Sequence, residues 1–152
     1  MFHDYLKKAL ASIIWVVVLG YVRSGSAHDA GTVMDSSGTV AAFTGYALVT
    51  CFDNGNGPAD HLLASVKDLS RAQDGLLVNL QIIKGNRAIS TTDPVSGDAN
   101  FSPEVKIHGG NGTYLLLVNK TKAGARSFAV SYHCITTDNR HTGTDIEVQQ
   151  FE

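Results

Sequence analysis

Apolar and polar residues alternate one by one along much of this chain, and clusters of turn-forming residues interrupt the alternation. Val78, Leu80 and Ile82, for example, alternate with Asn79 and Gln81. Side chains of a β-strand point alternately to its two faces, so this period predicts strands with one buried face. With turns recurring at roughly 8- to 12-residue intervals, the pattern predicts an all-β, antiparallel β-sandwich, jelly-roll or immunoglobulin-like, of about seven to nine strands.

The predicted strands lie in eight segments: 43–52, 61–69, 75–85, 87–93, 104–109, 112–120, 126–136 and 146–151. One segment is ambiguous. The stretch "HLLASVKDLSRAQDGLL" (61–77) also spaces Leu62, Val66 and Leu69 as one face of an amphipathic helix would, and a helix there stays open as an alternative. The glycine-rich "HGGNG" (108–112) is interpreted as a hairpin turn.

The N-terminus has the three parts of a secretory signal. Lys7 and Lys8 precede an uncharged apolar run over 9–22, and the small residues Gly25 and Ala27 suit a cleavage site after Ala27. The run of 14 residues is shorter than the ~20 that a spanning helix needs. We therefore expect a cleaved signal peptide and a secreted or periplasmic protein, with an uncleaved anchor as the alternative.

The predicted division of the chain is a signal peptide over 1–27 and a single β-sandwich domain over 28–152. Without the three basic residues and one acidic residue of the first segment, the formal net charge of −2 becomes −4. A mildly acidic domain without a basic block argues against nucleic acid as a partner. Protein and carbohydrate remain as possible partner classes, with no membrane insertion after cleavage.

Cys51 and Cys134 are the only cysteines of the chain. In an exported protein two cysteines are expected to pair, and the loop that they close would stabilise the domain by about 4 kcal/mol in the chain-entropy model. Two buried free thiols are the alternative. The sequence contains no Cys-x-x-Cys, so nothing indicates a redox site or a cysteine metal site.

The stretch "GNGTYLLLVNKTKAGARSFAVSYHC" (110–134) resembles the pre-peptidase C-terminal type of small secreted bacterial β-sandwich. The resemblance implies a β-sandwich that accompanies exported enzymes rather than a catalyst, and it transfers no site residue. Tyr132 and Cys134 also resemble the Tyr-x-Cys of immunoglobulin-like domains.

Cleavage after Ala27 would make His28 the first residue of the mature chain. An N-terminal histidine can bind Cu(II) through its α-amine and Nδ1, with a second imidazole completing a histidine brace. An ordinary chain terminus is the alternative. The sequence does not choose the second imidazole among four candidates: His61, His108, His133 and His141.

The loop "DNGNGPAD" (53–60) offers oxygen ligands from Asp53, Asn54, Asn56 and Asp60. Ca²⁺ binds six to eight such oxygens, so this loop is a candidate calcium site that would stabilise the fold. The same residue types also form tight turns, which is the favoured interpretation.

Enzyme motifs are missing from the sequence. It contains no Gly-x-Ser-x-Gly, no His-Glu-x-x-His, no phosphate-binding loop and no dinucleotide fingerprint. The leading prediction is therefore a non-catalytic binding or structural module. A copper protein and a calcium-stabilised accessory domain are the two alternatives.

Overall fold

The computed structural model of the protein describes residues 28–150. The predicted signal peptide over 1–27 lies outside the described residues. The described part consists of nine β-strands joined by loops: β1 (His28–Met34), β2 (Thr44–Phe52), β3 (His61–Asp68), β4 (Val78–Lys84), β5 (Arg87–Thr92), β6 (Val105–Ile107), β7 (Gly112–Lys120), β8 (Arg126–Ile135) and β9 (Gly143–Gln150). No helix in the described part of the chain could span a membrane.

The strands form two antiparallel sheets. The four-stranded sheet has the order β1-β8-β3-β6, and the five-stranded sheet has the order β5-β4-β7-β2-β9. The alternating apolar residues of both sheets form one core between them, with Val66, Leu80, Tyr114 and Phe128 among its buried side chains. The predicted all-β antiparallel sandwich is confirmed.

The predicted disulfide is confirmed as well. Cys51 on β2 and Cys134 on β8 are bonded, with their Cα atoms 5.5 Å apart. The bridge joins a strand of each sheet through the core, so the alternative of two free thiols is wrong. A disulfide-bonded all-β domain is compatible with an extracellular location.

The helix alternative for 61–77 is wrong, because β3 covers its first half as a central strand. Leu62, Ala64 and Val66 face the core, whereas Leu63 and Lys67 on the other face are partly exposed. Pairing with β8 on one side and β6 on the other satisfies the backbone of this strand. The backbone pairing of β3 with β6 and β8 therefore outweighs the helix-like spacing of its apolar residues.

Two strands differ from the expected pattern. β1 was not predicted, although His28–Met34 pairs with β8 along its whole length. Gly31 lies so close to the neighbouring strand that a Cβ there would be 2.6 Å from the carbonyl oxygen of Phe128. β9 begins at Gly143, three residues before the predicted segment.

The loop after β6 leads to β7 in the other sheet, so "HGGNG" (108–112) is a crossover between sheets and not the predicted hairpin turn.

Buried ion pairs stabilise one end of the sandwich. Lys120 Nζ lies 2.8 Å from Asp35 Oδ2, and both side chains are fully buried. Arg126 Nη1 lies 3.3 Å from the buried carboxylate of Asp68. Burial alone would raise the pKa of Asp35, but hydrogen bonds from Lys120 and from the backbone N–H of Gly124 outweigh it and lower the pKa well below its usual value.

Candidate metal centre

Asp60, His61 and His108 form a group, here called the Asp60 cluster, at the opposite end of the sandwich. Asp60 Oδ2 lies 2.8 Å from Nδ1 of His61 and 2.7 Å from Nδ1 of His108. One carboxylate oxygen therefore contacts two imidazoles, whose ring centroids are 5.0 Å apart. Each residue offers a ligand atom, and the three atoms lie within 4.8 Å of one another.

The register between β3 and β6 brings the two histidines together. Leu62 pairs with Ile107, so the next positions outward on the two strands are His61 and His108. Directly opposite residues of antiparallel strands have neighbouring side chains on one face of the sheet. The first residue of β3, His61, and the residue that directly follows β6, His108, are thus placed side by side.

Backbone hydrogen bonds hold Asp60 in position. Its N–H donates to the carbonyl of Ile135 at 2.7 Å, and its own carbonyl accepts from the N–H of Gly110 at 3.1 Å. The N–H of Ala59 donates to Asn111 Oδ1 at 2.8 Å. These bonds fix the segment before β3 against β8 and against the crossover loop that follows His108.

The three side chains differ in exposure. The His61 side chain is 7% exposed, that of Asp60 is 32% exposed, and that of His108 is 55% exposed. The hydrogen bond from His61, together with that from His108, lowers the pKa of Asp60 although burial opposes it. The group is therefore an anionic carboxylate with a buried imidazole on one side and a solvent-accessible imidazole on the other.

The geometry of the cluster suits a small metal ion. An ion with bonds of about 2.1 Å separates two of its ligand atoms by about 3.0 Å at a right angle and about 3.4 Å at the tetrahedral angle. The observed contacts of 2.7 and 2.8 Å from Asp60 Oδ2 are a few tenths of an ångström shorter, as hydrogen bonds are. An ion that replaces the bridging protons would therefore move Asp60 Oδ2 slightly away from both nitrogens.

His28, His133 and His141 form a second group, here called the His133 cluster, at the same end of the four-stranded sheet. The His133 ring centroid lies 4.6 Å from that of His141 and 6.3 Å from that of His28. His28 also stacks on Tyr132 at 5.9 Å. Burial, followed by the neighbouring charges of His141 and His28, lowers the pKa of His133.

The structure thus divides the histidines that the sequence offered as copper ligands. His133 lies near His28, and His141 lies beside His133, whereas His61 belongs to the Asp60 cluster with His108. The brace itself requires cleavage after Ala27, a position outside the described residues, and stays a prediction.

The residues of the candidate calcium loop also separate. Asp53 Oδ1 accepts the backbone N–H groups of Gly55 and Gly57, at 2.8 and 3.0 Å. Asn54 Oδ1 accepts the N–H of Asn56, and the Asn56 amide donates to the carbonyl of His141. These three side chains form the turn, whereas Asp60 turns to the two histidines. Calcium binding by this loop stays a prediction.

Neither His61 nor His108 stands out in the sequence, because both belong to the same four equal imidazole candidates. For His108 there is one usable indication. The usable signal is its place directly after the apolar residue that ends β6, opposite His61 directly before the first apolar residue of β3. That signal becomes informative only once the two strands are known to pair.

Comparison of the chain with family models, with curated proteins and with solved structures finds no match. The resemblance to pre-peptidase C-terminal domains stays a prediction. Function is therefore argued from the residues of this chain alone.

Proposed function

We propose that this protein is a secreted or periplasmic, non-catalytic β-sandwich module that binds Zn²⁺ at the Asp60 cluster. One observation carries the proposal: a single carboxylate oxygen of Asp60 lies within 2.8 Å of an imidazole nitrogen of both His61 and His108. Two nitrogens and one oxygen are a ligand set that zinc uses in proteins, with a water completing four-coordination.

The chemistry of the ligands favours zinc over hard cations. Ca²⁺ and Mg²⁺ prefer oxygen ligands, and each imidazole nitrogen in the set disfavours them. Zn²⁺, by contrast, is commonly bound by histidine nitrogens together with a carboxylate oxygen. We therefore expect Zn²⁺ to bind much more tightly than Ca²⁺ or Mg²⁺.

The rigidity of the cluster supports a binding role. Asp60 is fixed by backbone hydrogen bonds to Ile135 and Gly110, and His61 is packed between strands β6 and β8. A site whose ligands are already in position loses little conformational freedom when an ion binds. Export is supported by the signal-like N-terminus and by the disulfide.

The proposal is tested by titrating the purified, metal-free protein with Zn²⁺ in competition with a chromophoric chelator. We expect Asp60→Asn and His108→Ala each to weaken Zn²⁺ binding at this site at least tenfold. Glu104→Gln, which removes an exposed carboxylate outside the cluster, is the charge-matched control and should bind as the wild type does. Ca²⁺ and Mg²⁺ should not compete at millimolar concentration.

The proposal fails if both cluster variants, folded as judged by circular dichroism, bind Zn²⁺ as tightly and with the same stoichiometry as the wild type. It also fails if the wild type prefers Ca²⁺ to Zn²⁺.

A further inference from the structure

Two cationic residues face each other across the turn that joins β4 to β5. Lys84 ends β4, Arg87 begins β5, and the two are directly opposite in the antiparallel pairing. Like charges at directly opposite positions destabilise a pair of strands. Neither side chain forms an ion pair with a carboxylate within residues 28–150. The pairing of the two strands therefore does not explain why both positions are cationic.

Both side chains instead donate hydrogen bonds to the crossover loop that follows β6 in the other sheet. Arg87 Nη1 donates to the carbonyl oxygen of His108, and Lys84 Nζ lies 3.2 Å from the carbonyl oxygen of Asn111. The alternation of β4 places Lys84 on the inner face of its sheet, two positions after the buried Ile82. The β4–β5 turn is thus bonded to the loop that carries His108.

The stem of Lys84 also packs closely against this loop. Lys84 Nζ lies 4.2 Å from the centre of the Tyr114 ring, and Tyr114 Oη donates to the carbonyl of Gly110 at 2.7 Å. A Cβ on Gly109 would lie 2.7 Å from Lys84 Cγ and 2.9 Å from Tyr114 Oη. The absence of a side chain at position 109 is therefore what allows the approach.

His108 has little support from its own strand. It follows the last residue of β6 and precedes two glycines, which leave a chain flexible unless outside contacts restrain it. Its side chain is 55% exposed, so neighbouring side chains do not enclose its ring. On one side the loop is bonded to Asp60, whose carbonyl accepts the N–H of Gly110. The β4–β5 turn restrains the loop from the other side.

We propose that Arg87 and Lys84 are positioning residues of the Asp60 cluster, which hold the crossover loop so that His108 Nδ1 stays in contact with Asp60 Oδ2. Groups that orient metal ligands contribute to metal affinity without touching the ion. A ligand that is held in place beforehand loses less conformational freedom on binding. The effect on zinc rests on the proposed function, whereas the placement of His108 is measured without metal.

The placement is tested on the metal-free full chain by nuclear magnetic resonance. At a pH of about 8.5 imidazole is neutral, and the chemical shifts of its ring nitrogens show which of them carries the proton. A carboxylate only accepts hydrogen bonds, so contact with Asp60 selects the Nδ1–H tautomer of both His61 and His108. In the double variant Arg87→Met with Lys84→Met, we expect His108 to shift toward the tautomer mixture of a free imidazole. His61, which lies within β3, should keep its Nδ1–H tautomer.

The same double variant is titrated with Zn²⁺. Methionine retains much of the apolar stem but cannot donate a hydrogen bond. We expect it to weaken Zn²⁺ binding by about tenfold or more. Arg71→Met, which removes an exposed cation near the opposite end of the sandwich, is the matched control and should bind as the wild type does. Gly109→Ala removes no charge but displaces Lys84, so it should shift the His108 tautomer in the same direction.

The proposal is overturned if His108 keeps the wild-type tautomer in both the double variant and Gly109→Ala. It is also overturned if the wild type binds Zn²⁺ at the Asp60 cluster and the double variant binds it equally tightly. Should the double variant be unfolded by circular dichroism, Arg87→Met and Lys84→Met decide singly by the same two criteria. A wild type that binds no Zn²⁺ refutes the proposed function alone, because the tautomer of His108 still decides the role of the two cations.

Discussion

Replacing both cysteines, Cys51→Ala with Cys134→Ala, removes the one disulfide that cross-links the two sheets in the described part of the chain. The bond connects β2 of the five-stranded sheet to β8 of the four-stranded sheet. Its removal leaves every backbone pairing within each sheet available, so the folded state should be weakened without a change of topology.

The size of the effect follows from the sequence separation of 83 residues between the cysteines. In the chain-entropy model, opening a loop of that length costs about 4.6 kcal/mol of stability at 25 °C. Both cysteines are almost fully buried, so their truncation adds a small packing loss. We expect a decrease of about 5 kcal/mol in the free energy of unfolding, which is comparable to the whole stability of many small domains.

The assay is equilibrium unfolding in guanidinium chloride, followed by far-UV circular dichroism. The double variant should unfold at a much lower denaturant midpoint, or be unfolded in buffer, and reduction of the wild type should give the same shift. A loss below about 1 kcal/mol would refute this reasoning. It would mean that the unfolded chain is already restricted without the bridge.

Two further predictions concern stability. Because the pKa of Asp35 is lowered in the folded state, its ion pair with Lys120 stabilises the protein above the ordinary aspartate pKa of about 4 and loses that effect as the pH falls below it. The difference in unfolding free energy between wild type and Asp35→Asn should therefore shrink from pH 5 toward pH 2 in urea titrations; a constant difference would contradict this. Gly97→Ala should cost about 1–3 kcal/mol, since residue 97 has a φ of 71° and a Cβ there would lie 2.4 Å from the backbone nitrogen of Ala72. Gly85→Ala, with a φ of 58° but open space around it, is the control, and equal thermal shifts in the two variants would argue against the steric part of the effect.

The fold was predictable because its strands are long and their inward faces are apolar. β7 and β8 match the predicted segments 112–120 and 126–136 to within a residue at each end. β1 escaped prediction for a physical reason. β1 is an edge strand and pairs on one side only. Its inward-facing residues on either side of Gly31 are Ala30 and Thr32, and their small apolar surface gives no clear alternation of apolar and polar residues in the sequence.

The candidate site was less predictable, because it depends on register rather than on pattern. Asp60 and His61 are neighbours in the sequence, but Asp60 was grouped with the turn residues that precede it. His108 lies 47 positions further along, and only the pairing of Leu62 with Ile107 places it opposite His61. A shift of that register by one residue would turn the two histidines to opposite faces of the sheet. Sequence alone gave the ligand types but could not give their partners.

The two ends of the sandwich differ in the polar groups that they carry. At one end the buried charges of Lys120 and Arg126 meet carboxylates, so these groups serve the fold itself. At the other end lie five of the six histidines of the chain, contributed by β1, β3, β8 and the segments after β6 and β8.

Among residues 28–150, one buried side-chain nitrogen is left without a hydrogen-bond partner at each end: Arg126 Nε beside the ion pairs, and His133 Nδ1 among the histidines. An unsatisfied nitrogen therefore does not distinguish the two ends. The distinguishing feature is the carboxylate of Asp60, which lies within hydrogen-bond distance of two imidazoles, and the proposal of zinc binding rests on that feature.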